Sequence, residues 1–200
     1  MTVDAMQVRD DRGDLVPLPV ARWFGALDDV DLRVVATIKG PVLDVGCGPG
    51  RHVVALAERG VPALGIDITD SALELARERG VPVIERSVFD RVPAAGRWTS
   101  VLLLDGNIGI GGEPAALLRR VHELLRSGGV AVVEVEPAGT RYPSRPVRFE
   151  RGARFGPWFR LACVTTDEIN ALAHAAGFAC TRVWHDGRRS FAALRREEAA

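Results

Sequence analysis

From Pro41 onward, short apolar runs alternate with amphipathic stretches, and glycine separates them. Val42 to Val45 reads as a buried strand, and Arg51 to Arg59 as a helix stopped by Gly60. Pro62 to Asp67 reads as a second strand, followed by a helix to Arg79 that is capped by either Thr69 or Asp70 and ends at Gly80. Val83-Ile84 is a short third strand. Trp98 to Asp105 holds the run Val101-Leu102-Leu103-Leu104, expected of a strand covered on both faces. Pro114 opens a helix ending near Arg126, where Ser127-Gly128-Gly129 breaks it, and Val130 to Val135 is a fifth strand.

Strands alternating with helices predict right-handed βαβ units and a parallel sheet. The link from Ile84 to Trp98 holds too little for a crossover helix but is long enough, extended, to pass beneath two strands. The third and fourth strands therefore lie on opposite sides of the first. A last helix, capped by Thr166 or Asp167, runs through Ala176. Phe178 to Trp184 and Arg189 to Leu194 then alternate around His185-Asp186-Gly187-Arg188, the pattern of an antiparallel hairpin. Ahead of this core, Val16-Pro17-Leu18-Pro19 is extended by its prolines. Trp23, Phe24, Leu27, Val30, Val34 and Ile38 recur at helical intervals between Ala21 and Ile38. The division expected is a 1–40 extension or lid and a 41–200 domain.

Composition narrows the setting. The 200 residues carry 26 basic and 26 acidic side chains, a net charge of zero that argues against a dedicated nucleic-acid binder. No apolar window is long enough to span a membrane, and Met1 to Asp14 is polar and acidic, unlike a secretory signal. Cys47, Cys163 and Cys180 show no CxxC spacing, which points to a reducing cytoplasm and away from a disulfide or zinc framework. Lys39 is the only lysine, so the abundance of arginine reads first as codon bias.

The chemistry concentrates in Val42-Leu43-Asp44-Val45-Gly46-Cys47-Gly48-Pro49-Gly50. A strand runs through three spaced glycines into a helix, which lets bare backbone amides approach a ligand at the helix N-terminus. The dinucleotide fingerprint GxGxxG, read from Gly46, would need its third glycine where Arg51 stands. Asp67, about twenty residues on at the end of the second strand, is placed to accept the hydroxyls of a ribose.

This D-x-G-x-G-x-G run resembles the first motif of the class I S-adenosylmethionine-dependent methyltransferases. The resemblance covers residues 40–136 well and is compatible with the chain to about 195. It implies a Rossmann-like, seven-stranded, mostly parallel sheet with helices on both faces, a C-terminal antiparallel hairpin and strand order 3-2-1-4-5-7-6. It implies S-adenosyl-L-methionine as cofactor, with Gly46, Cys47, Gly48 and Gly50 as its loop and Asp44 bracing that loop near the amino-acid end. Asp67 matches the ribose ligand and Ile68 an apolar residue beside the adenine. Arg86-Ser87-Val88-Phe89 matches a segment where many members carry an acid for the adenine amino group. This chain has Ser87 there, with Asp90 nearby, so either the Ser87 hydroxyl or the Val88 backbone reads the base.

Asp105-Gly106-Asn107 ends the fourth strand, where the resemblance places the transferring methyl group. Asp105 is a candidate for the cofactor's amino end, and Asn107 and Glu136 for the acceptor pocket. Glu134 and Glu136 share a face at the end of the fifth strand. Ile108-Gly109-Ile110-Gly111-Gly112 either walls that pocket or merely connects strand to helix. Six arginines between Arg141 and Arg160 are interleaved with Phe149, Phe155, Trp158 and Phe159, as a lid or as a solvated edge. His52 follows the loop; Arg22 and Trp23 either cover the cofactor or pack. The fourth strand lacks the Asn/Asp-Pro-Pro-aromatic and Pro-Cys motifs of base methylases, so the acceptor expected is a small molecule, not nucleic acid. The alternatives are a non-catalytic module of the same fold and a nicotinamide-dependent oxidoreductase.

Overall fold

The computed structural model describes residues 7–16, 20–140 and 145–197. In chain order the elements are β1 (Gln7–Asp10), β2 (Leu15–Val16), α1 (Val20–Phe24), α2 (Asp29–Thr37), β3 (Val42–Val45), α3 (Arg51–Glu58), β4 (Ala63–Asp67) and α4 (Asp70–Glu78). There follow β5 (Val83–Glu85), β6 (Trp98–Leu103), α5 (Pro114–Leu124), β7 (Leu125–Val135), β8 (Arg145–Arg151), β9 (Arg154–Phe155) and β10 (Phe159–Leu161). The chain closes with α6 (Ile169–Ala175), β11 (Phe178–Asp186) and β12 (Arg189–Arg196).

The main sheet has seven strands in the order β5-β4-β3-β6-β7-β12-β11, the order implied by the resemblance. All neighbours pair in parallel except β12, which runs antiparallel to both β7 and β11. Alternation explains the continuous apolar runs. Leu43, Val45, Val101 and Leu103 enter a core under α5 and α6, whereas Val42, Leu102 and Leu104 enter another under α2 and α3. Both sets are almost wholly buried, so a strand such as β6 has no solvent face on which polar residues could alternate. Among the described residues, no helix is long and apolar enough to cross a membrane.

Several boundaries differ from the sequence pattern. The Ala21 to Ile38 stretch is two helices, because Gly25 interrupts it and Asp28 starts α2 afresh with a capping box to Asp31. The last helix begins at Ile169, after Glu168. The Glu168 carboxylate accepts from the Thr165 amide (3.0 Å) and hydroxyl (2.6 Å), so it organises the entry in place of Thr166 or Asp167. Helix α5 stops at Leu124, and Ser127-Gly128-Gly129 is absorbed into β7 as an irregularity opposite Trp98 and Ser100. Pro17 and Pro19 lie outside the described residues.

A second, antiparallel sheet is absent from the sequence reading. It has five strands, β10-β8-β1-β2 with β9 on β8, so residues 7–16 pair with residues 145–161. The Ile110–Leu161 bridge and the Ala162 amide bonding to the Gly109 carbonyl (3.0 Å) hold it beside the carboxyl end of β6. Its Phe149 and Phe159 rings stack at 5.2 Å, and Trp23 meets Phe149 edge-on at 6.1 Å.

Candidate functional site

Strand order reverses between β3 and β6, so the chain leaves their carboxyl ends in opposite directions and opens a crevice there. The glycine loop fills the β3 side. The Gly46 and Cys47 amides both bond to the Ile66 carbonyl, at 2.9 and 3.1 Å, which lays the loop against β4. The three glycines have different tasks. A Cβ on Gly46 would stand 2.7 Å from the Asn107 amide, and one on Gly50 would meet Ala76 and Val81 at 3.1 Å. A Cβ on Gly48 would meet nothing within 4 Å. Gly46 and Gly50 therefore permit packing, while Gly48 keeps a face of the crevice bare.

Asp67 sits directly across that face. Its Oδ2 accepts the Gly48 N–H at 2.8 Å and its Oδ1 accepts the Thr69 N–H at 2.8 Å. Beside it Ile68 is 68% exposed, an apolar side chain with nothing of the chain upon it. Cys47 turns the other way and packs with Val53 and Leu73. Burial, with Asp44 and Asp67 nearby, pushes its thiol well above the ordinary range, so it stays an uncharged packing group. The Ser87 hydroxyl accepts the Phe89 N–H at 3.2 Å. Arg120 holds this segment from α5 by bonding to the Val88 and Asp90 carbonyls.

Asn107 lies beneath the loop, where its amide donates to the Val45 and Gly46 carbonyls at 2.8 and 3.0 Å. Glu136 stands at the end of β7 with its backbone bonded to Val164 and Thr166. Partial burial and then the Glu134 carboxylate raise its carboxyl above the ordinary value.

The sequence reading did not find the ion network behind the loop. Asp105 accepts from Arg22 and Arg51, each at 2.7 Å, while its own amide donates to Glu134 at 2.8 Å. Glu134 takes both forks of Arg189, at 2.8 and 2.7 Å. Arg189 and Arg51 then meet on Asp31, which is fully buried. Burial alone would raise the Asp31 carboxyl, but His52, Arg51 and Arg189 hold it far below the usual carboxylate range. One signal for this network was available. Arg51 opens α3, where a cation opposes the helix dipole, and such a placement calls for a carboxylate.

Among the described residues, four buried polar atoms here make no hydrogen bond: Arg22 Nε and Trp23 Nε1 on α1, and Asp44 Oδ2 and His52 Nε2, which are left to ion pairing across 3.7 Å. Unpaired buried donors are costly in a folded chain, and the two on α1 suit the carboxylate of an amino-acid ligand. Together with the bare Gly48 face and Asp67, the residues present fit an adenosyl amino-acid ligand.

A family profile described as a methyltransferase domain matches residues 42–129. A ubiquinone biosynthesis O-methyltransferase from Pseudomonas paraeruginosa is 36% identical over 161 residues, covering 66% of this chain and 68% of that protein. A trans-aconitate 2-methyltransferase from Rhodococcus jostii is 36% identical over 118 residues, 58% of this chain and 45% of that protein. An uncharacterized Mycobacterium tuberculosis protein is 32% identical over 162 residues, and the chain spans about half of its length, 54%. Among solved structures, the S-adenosylmethionine-dependent methyltransferase from Bacteroides fragilis, in complex with S-adenosyl-L-homocysteine, superposes with a TM-score of 0.82. It is 26% identical, and the match covers 98% of this chain and 90% of that one.

Proposed function

This chain belongs to the class I S-adenosylmethionine-dependent methyltransferases, and from that premise we propose that it methylates an oxygen of a small-molecule acceptor. The observation that carries the reading is the bare Gly48 face opposite the Asp67 carboxylate, at the reversal of strand order. When bound, S-adenosylmethionine supplies a methyl group made electrophilic by its sulfonium. The protein's work is then to hold an acceptor atom in line with that methyl group.

Each residue has a part in this reading. Asp67 receives the ribose hydroxyls, Ile68 flanks the adenine, and Ser87 with the Val88 backbone borders its edge. Asp44, at the carboxyl end of β3, is assigned to the ammonium end. Asp105, held by Arg22 and Arg51, fixes the floor of the amino-acid end. Asn107 braces the loop through Val45 and Gly46. Glu136 is the acceptor-side carboxylate, and Phe149, Phe159 and Trp23 give that side an aromatic wall. An oxygen acceptor is favoured by the O-methyltransferase among the relatives, and a wall of rings on a narrow sheet edge suits a small molecule better than a polymer.

Three measurements test this. Calorimetry with S-adenosylhomocysteine and, separately, NAD distinguishes the methyl-transfer reading from the oxidoreductase, and only the former ligand is expected to bind. Asp67→Ala is expected to weaken S-adenosylhomocysteine at least tenfold, on the order of 1.4 kcal/mol; unchanged affinity removes the ribose assignment. With a tritiated methyl donor, small carboxylic acids and phenols should take up label. Label confined to amines would replace the oxygen acceptor, and binding without label on any acceptor would favour the non-catalytic module.

A further inference from the structure

We propose that His52, carried as an imidazolium between Asp31 of α2 and Asp44 of β3, is a positioning residue that fastens the first turn of α2 over the strand ends. Asp31, Asp44, Asp105 and Glu134, with the exposed Asp28 at their edge, bring five carboxylates to one region, and Arg22, Arg51 and Arg189 bring three guanidinium groups. His52, which is 3% exposed, stands between two of these carboxylates. Its Nε2 lies 3.7 Å from Asp31 and its Nδ1 3.7 Å from Asp44. Those spans are too long for ordinary hydrogen bonds but short for charges in a poorly hydrated interior.

The cover needs such a fastening, because apolar contact holds only part of it. Val34, Val35 and Ile38 seat the far half of α2 in the core, while Leu27 and Val30 at its start pack there only partly buried. By contrast, Phe24 and Leu32 stay 40% and 50% exposed. A groove of about 620 Å³ bounded by Phe24, Leu27, Leu32, Val54 and Ala55 separates this half of the cover from α3. What crosses the gap is charge: Arg51 and His52 from α3 and Arg189 from β12 reach Asp31, and Arg22 reaches Asp105 and Glu134. Arg33 bonds to Asp186 outside the cluster.

On loss of the His52 proton, Asp31 and Asp44 face each other across a neutral ring. Burial alone lowers the imidazole pKa, but Asp31 and Asp44 outweigh it and bring it to about 9, with Arg51 opposing them. Because the folded value is raised, the fastening is complete below the ordinary histidine value and is lost as pH rises through about 9.

The test uses the cofactor-free chain, so its failure would leave the methyl-transfer reading intact. Imidazole NMR of the wild type should show a doubly protonated His52 ring at pH 8. Amide exchange in the first turn of α2, corrected for base catalysis, should speed up at least tenfold between pH 7 and pH 10, while β6 and β7 stay protected. In His52→Gln the same amides should exchange fast already at pH 7, with no further step. A neutral ring at pH 7, or identical protection of α2 in both proteins at every pH, overturns the proposal. If the variant does not fold, the wild-type ring titration and its coincidence with the α2 exchange step decide alone.

Discussion

Asp31→Ala is expected to lower the melting temperature by on the order of 10 °C, corresponding to about 3–5 kcal/mol for a chain of this size. Asp31 has no exposed surface, and Arg51, Arg189 and His52 all approach it. Removing it leaves three buried cations with too few partners, and the penalty comes from the stranded charges more than from the bonds lost. It also removes one half of the α2 capping box, since the Asp31 carboxylate accepts the Asp28 amide. The pH dependence follows in sign. The folded Asp31 carboxyl is held far below its ordinary value, so its contribution is present above the unfolded carboxylate range and is lost as pH falls below it. The stability gap between wild type and variant should therefore narrow in acid. Asp186→Ala, at the partner of the exposed Arg33, serves as the contrast and should barely move the transition. Calorimetric melting of both variants checks this; an Asp31→Ala transition within a degree or two of wild type would show that the network carries no such weight.

The parallel sheet could be read from the chain because its information is local. Val42 to Val45 and Val101 to Leu104 are apolar on both faces, and glycine marks each exit, so every strand identified itself within a few residues. The short link after β5 even fixed the reversal of strand order. The second sheet had a legible pattern too, in Val147-Arg148-Phe149-Glu150. Its partner strand lies at the opposite end of the chain: Arg9 bonds to Glu150, and Val8 pairs with Phe149. No periodicity announces a pairing of that separation. The same distinction divides the site. Asp44, the glycines and Asp67 belong to one strand-loop-helix-strand unit and were legible together. Asp31 and Arg189 are charged residues on distant elements, and each alone looks like a solvated side chain until the fold brings it to Arg51.

Gly46→Ala is expected to weaken S-adenosylhomocysteine by roughly 100-fold and to destabilise the free chain as well. Two costs combine. Gly46 has φ +71°, where an alanine is strained by about 1–2 kcal/mol. The new Cβ would stand 2.7–2.9 Å from three atoms of the Asn107 amide, which must then give up bonds to the Val45 and Gly46 carbonyls worth about 1 kcal/mol each. The sum is about 3 kcal/mol, and every part of it distorts the loop on which the ligand's amino-acid end rests. Gly48→Ala separates the loop's shape from its bareness. Gly48 also has positive φ, but a Cβ there meets no atom of the chain. Its effect on the free protein should therefore be the smaller one, the backbone strain alone, while the methyl group enters the very space assigned to the ligand. Affinity should collapse in both variants, and stability should fall clearly more in Gly46→Ala. Wild-type affinity in Gly48→Ala would mean that the ligand does not lie against this face, since nothing else in the chain would have felt the added carbon.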